Sequence, residues 1–180
     1  MQSIFHRVQF GILAALLTVF ASPALALNTA CMAGNQVMPI NNQQVIAWKL
    51  NPGVRSGFLA RANVEGVVLG IFPDHSGHNH FIIQIGPNPR TDVLEVVYSQ
   101  DFGDLPPIQK GMQAHACGDF IKSTEQNGGF APSPAGAIVH WVHLNSRGGS
   151  HENGYLILDN VMYGIGPDRG TGPGDRRRRH

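Results

Sequence analysis

Apolar and polar positions along this chain recur with the period of two that belongs to β-strands. The clearest run is HNHFIIQIG (78–86). On a strand it puts Phe81, Ile83 and Ile85 on one face and His78, His80, Ile82 and Gln84 on the other. Before it, ANVEGVVLGIF (62–72) reads as a first strand, with Gly66 and Gly70 marking a bulge or bend. After it, DVLEVVYS (92–99) reads as a third strand, followed by DFGDLPPIQKG (101–111) as a loop or short helical turn. MQAHACGDFI (112–121), AIVHWVHL (137–144) and YLILDNVMYG (155–164) are the fourth, fifth and sixth expected strands. The soft stretch 123–136 is a loop, and NSRGGSHENG (145–154) is a turn.

No helical period persists through this region. The one expected helix lies in the polar lead-in, begun by Asn41 or Asn42 and stopped by Asn51-Pro52-Gly53. Short strands separated by Gly/Pro turns predict an all-β fold. The strand order predicts a small OB-like Greek-key barrel of five to six strands with a short N-terminal helical lead-in. The expected organisation is a lead-in over 27–56 and a barrel domain over 57–166.

The two ends have a different composition. MQSIFHRVQFGILAALLTVFASPALA (1–26) has a basic start, an apolar run and a small-x-small cleavage site, the pattern of a secretory signal peptide. Its apolar run is shorter than the roughly 20 residues a membrane span needs, so the mature chain is expected to be periplasmic or secreted, with no transmembrane span. The Gly/Pro/Arg end, 167–180, reads as a disordered basic tail. Between these ends, residues 27–167 carry 7 basic and 10 acidic side chains. That balance gives no electrostatic footprint for nucleic acid. In an exported chain, Cys31 and Cys117 are most economically read as a disulfide. A metal site mixing Cys and His is the rival, although no C-x-x-C spacing supports it.

Of nine histidines, seven fall between residues 75 and 151: His75, His78, His80, His115, His140, His143 and His151. The tripeptide His78-Asn79-His80 lies at a strand entrance with no helix after it, unlike the nuclease motif that shares its letters. His78 and His80, two apart on a strand, point the same way and suit a shared ion. His140 and His143 have odd spacing and face opposite ways on a regular strand, unless the strand ends or bulges near Val142. His151 sits in a Gly-rich loop that can fold back, and Asp101 or Glu152 can add an oxygen ligand or orient an imidazole. His75 and His115 are the weakest candidates. His115 shares a face with Cys117 and Asp119, which predicts an exposed side. No G-x-S-x-G elbow accompanies Ser133, Ser146 or Ser150, and the acidic residues lack the spacing of a glycosidase pair.

The run GAIVHWVHLNSRGGSHENGYL resembles the C-terminal signature of a family of small exported bacterial proteins designated a domain of unknown function. The matching positions are Gly136 or Ala137, Ile138 or Val139, His140, Trp141, His143, His151, Gly154 and Tyr155. Upstream, GHNHFIIQI is similar through His78, Asn79 and Phe81, and YSQDFGDLPPIQKG through Asp101 and Gly111. The likeness covers roughly residues 62 to 163. The chain departs from the family at Tyr98-Ser99, where a His-Asn pair is usual, in its longer 123–136 loop and in its Arg-rich tail. The resemblance implies an OB-like barrel outside the cytoplasm. It selects His78, His140, His143 and His151 as metal ligands with Asp101 as acidic partner, and gives no support to His80.

The leading expectation is therefore an exported barrel whose imidazoles gather at one mouth to bind zinc or another divalent transition metal, with metal-activated water as the chemistry if it is an enzyme. No organic cofactor is expected. The alternative is a metal-free OB-type module for an oligosaccharide, peptide or nucleic acid, and a third reading is a histidine pH sensor or polar network.

Overall fold

The computed structural model describes residues 30–127, 130–146 and 148–166; the expected signal peptide (1–26), the first three residues of the lead-in (27–29) and the expected basic tail (167–180) lie outside them. A two-residue-per-strand hairpin, β1 (Met32–Ala33) and β2 (Gln36–Val37), precedes helix α1 (Asn42–Leu50). Asn41 and Asn51 bracket the helix, where the sequence placed its ends. The main sheet follows: β3 (Leu59–Ile71), β4 (His78–Gln84), β5 (Val93–Ser99), β6 (Gln113–Lys122), β7 (Ala137–His140), β8 (Tyr155–Leu158) and β9 (Val161–Tyr163).

Strands β3-β4-β5-β7-β6 are neighbours in that order, and β6 pairs again with β3, closing a ring of five. All contacts in the ring are antiparallel except β5 with β7. This is the small OB-like Greek-key barrel that the strand pattern predicts. Closure depends on small residues. On β6 the inward positions are Ala114, Ala116, Gly118 and Phe120, so only one large side chain competes for space along the β3–β6 seam. Phe81, Ile83, Leu94, Val96, Tyr98 and Val139 fill the interior from the other strands. Gly70 stands where the β3–β4 register shifts, as a strand glycine often does.

Helix α1 closes one end. Val45 and Ile46 are buried, and Trp48 packs its ring against Phe58 and Phe120. Lys49 Nζ donates to the carbonyls of Thr91 and Val93 at the start of β5, which fixes the helix to that end. The opposite end, where β4 begins and β5 and β7 finish, is left to the histidines.

Three expectations need correction. The sixth strand is a hairpin: Asp159 and Asn160 take φ of 44° and 69°, a turn that short Asx side chains tolerate, and β9 folds back on β8. The fifth strand stops at His140, because Trp141 adopts φ 52° and leaves the extended region. The outer face of β6 is covered rather than exposed. Cys117 on it is joined to Cys31 in a disulfide across 86 residues. Together with Tyr155 the pair forms a second small core, flanked by Ile157, Met162 and Ile165. Asp119 is consequently buried and His115 half-buried. Among the described residues, no helix is long and apolar enough to cross a membrane.

Candidate functional site

Strand alternation turns Phe81 and Val139 into the barrel, so His78, His80 and His140 lie on its outer wall. Register then aligns residues far apart in the chain. His80 pairs with Val97, one position beyond the Val96–Val139 pair, so His140 is the next residue across. His140 pairs with Asp119, and Asp119 with Arg61. One row, His80, Val97, His140, Asp119, Arg61, thus crosses all five barrel strands. The imidazoles converge, but on the outer wall at the barrel's lip rather than inside its mouth.

The left-handed Trp141 ends β7 and redirects the chain, which removes the odd-spacing conflict between His140 and His143. Two glycines hold this segment. A Cβ on Gly118 would lie 2.4 Å from the His140 carbonyl oxygen, and one on Gly154 would lie 2.2 Å from that of Trp141. Only the lack of a side chain lets these backbones approach. The rings of His75, His80, His78, His140, Trp141 and His151 then form one series, with His143 and Phe102 as a separate stacked pair. His78 and His140 have centroids 5.3 Å apart, Trp141 touches His140 at 4.4 Å, and His151 stacks on Trp141 at 3.6 Å. His143 stacks on Phe102 at 3.7 Å, and His75 on His80 at 3.8 Å. His80 and His78 are 6.2 Å apart.

Hydrogen bonding sorts these imidazoles. His78 Nδ1 is 2.9 Å from the Ser76 carbonyl, and His143 Nδ1 is 2.9 Å from that of Leu144. His80 Nδ1 is 2.8 Å from Glu95 Oε1, and His151 Nδ1 is 2.9 Å from Asp119 Oδ2. Carbonyl and carboxylate oxygens accept, so each of these Nδ1 atoms carries a proton. His115 is the opposite case: its Nε2–H donates to Asn63 Oδ1 at 2.6 Å. It stands apart from the group, against Tyr155.

The carboxylates are themselves held. Asp119 Oδ1 accepts from Arg61 at 2.9 Å, and Arg61 also reaches Cys117 Sγ and the carbonyls of Met32 and Asn153. Glu95 Oε2 accepts from Ser133 Oγ at 2.5 Å, which brings the 123–136 loop onto the wall. Burial pushes the His140 imidazole down to about 3, and the neighbouring His78, His143, His151 and His80 add to the effect. Burial also lowers His78, against the opposing pull of the Ser76 carbonyl and of Asp101. Asp101 stands on the 3-10 turn Gln100–Phe102, close enough to act on His78 electrostatically. His140 is therefore a neutral ring at physiological pH.

Of the residues selected from sequence, His78 and His140 come directly together, His151 joins through Trp141, and His143 and Asp101 act on the pair at longer range. As the side chains stand, no three His, Cys, Asp or Glu among the described residues are close enough to hold one ion. Both cysteines are in the disulfide, which removes them as ligands. The residues missed were the supports, Glu95, Asp119, Ser133 and Arg61. A signal existed for two of them: Glu95 interrupts the apolar run VLEVVYS, and Asp119 interrupts ACGDFI. A buried carboxylate on a strand needs a partner.

Comparison of the chain with protein-family models, with curated proteins and with solved structures gives no match.

Proposed function

We propose that this chain binds a divalent transition metal ion, zinc or a close relative, at the barrel lip, with His78 and His140 as the leading ligands. The observation that carries the reading is the 5.3 Å separation of these two rings. Two imidazoles sharing a tetrahedral ion through bonds of about 2 Å place their centroids about 5 Å apart. The chemistry of the surroundings agrees. Metal-bound histidines almost always donate their other N–H to a carboxylate or carbonyl, and His78, His80, His143 and His151 all do. Neutral imidazole is the form that binds metal, and the lowered proton affinity of His140 and His78 keeps it available. Asp101 remains the acidic partner in this reading, and His143 and His151 the outer imidazoles.

Export through the 1–26 signal, and membership of the small exported family with the His-Trp-x-His run, belong to the same reading; the Cys31–Cys117 disulfide is compatible with an oxidising compartment. A pair of protein ligands leaves coordination positions for water, and a metal-bound water of lowered pKa would make hydrolysis the natural chemistry. A second reading, a metal-free binding module, is favoured by the stacked Trp141–His151 and Phe102–His143 rings, which resemble flat platforms for a planar ligand.

The test is elemental analysis of untagged protein recovered from the periplasm. About one equivalent of metal is expected, lost in the His78→Ala/His140→Ala double variant. Wild type that takes up no ion from zinc, cobalt or copper solutions would eliminate the metal reading and leave the module.

A further inference from the structure

We propose that His80 is the third imidazole of the site and that Glu95, locked by Ser133, is the residue that positions it; this rests on the metal reading above. The sequence resemblance selects other histidines, but the structure gives His80 a property they lack. Its Nε2 is buried and has no hydrogen-bond partner. The residue as a whole is 7 % exposed, the His75 ring lies flat against it at 3.8 Å, and its other nitrogen is committed to Glu95. Buried polar atoms are nearly always paired, and an unpaired one asks for an explanation. An ion is an occupant that accepts a lone pair without supplying an acceptor of its own.

The tautomer is built rather than incidental. Glu95 Oε1 holds Nδ1–H, Ser133 Oγ occupies Oε2, and the carboxylate is itself almost wholly buried. This is the carboxylate–imidazole–metal arrangement in which the second carboxylate oxygen is also hydrogen-bonded. Ser133 belongs to the long 123–136 loop, so the loop's contact with the wall serves the site. The His80 and His78 centroids, 6.2 Å apart, stand only about 1 Å beyond the spacing of two ligands on one ion. Metal uptake closes that gap by side-chain rotation, drawing His80 and His78 together beside His140.

The experiment titrates the full, disulfide-intact chain with Co(II) and Zn(II) and counts imidazoles by X-ray absorption. Wild type is expected to show three imidazole nitrogens. His80→Ala is expected to show two and to bind about 100-fold more weakly, and Glu95→Gln to keep three while binding about 10- to 100-fold more weakly. Ser133→Ala shifts affinity the same way by less. Should His80→Ala fail to fold, 15N imidazole spectra of wild type decide: Zn(II) must move the His80 Nε2 resonance. An unmoved resonance, or two imidazoles in wild type, overturns the role of His80 while leaving the metal reading standing. Failure of wild type to bind either ion overturns both.

Discussion

At the scale of single residues, the site depends on backbone placement that few side chains would allow. Trp141 takes a left-handed conformation that a bulky residue adopts at a cost, and such strain persists only where surroundings enforce it. Gly154 is part of that enforcement. Gly154→Ala would drive a methyl group into the carbonyls of Trp141 and Cys117, so unfolding in urea should show a loss of about 3 kcal/mol or more. His140 supplies a pH signature. Its imidazole titrates at about 3 when folded against an ordinary 6.5, so the unfolded chain binds the proton more readily. Its contribution is fully present above pH 6.5 and is lost as pH falls from 6.5 toward 3. The difference amounts to roughly 5 kcal/mol. Urea midpoints of metal-free protein measured from pH 8 down to pH 4 should fall steeply, and His140→Gln should flatten that fall.

At the scale of elements, β6 carries a load on each face. Its inward alanines and Gly118 allow the ring to close on β3, while its outward Cys117 and Asp119 tie the lead-in and the His151 loop to the wall. The two outward ties meet at Arg61, which touches both Asp119 and Cys117 Sγ. The disulfide closes a loop of 86 residues, so Cys31→Ser/Cys117→Ser should cost about 4 kcal/mol in the chain-entropy account. Denaturation of the double variant beside wild type, with and without reductant, measures this. Wild type should lose stability with reductant, whereas the variant should not respond.

At the scale of the whole molecule, the barrel has one end plugged by α1 and the other rimmed by imidazoles, and the proposed metal binding there would be linked to folding. An ion held only by the folded chain stabilises it by about 2.7 kcal/mol at 100 times its dissociation constant. Zn(II) should therefore raise the thermal midpoint of wild type and leave His78→Ala/His140→Ala unmoved. By itself the sequence determined the parts that local chemistry controls: strand runs, because alternation is a property of consecutive residues; the short helix and its asparagine ends; and the one pairing open to two cysteines. Tertiary structure alone decided the rest. That β5 lies parallel to β7, that register puts His80, His140 and Asp119 in one row, and that Glu95 and Ser133 meet across 38 residues all follow from closing the sheet into a ring. Closure is a long-range condition on strand order and register, and no short window of sequence encodes which distant side chains it will bring to the same lip.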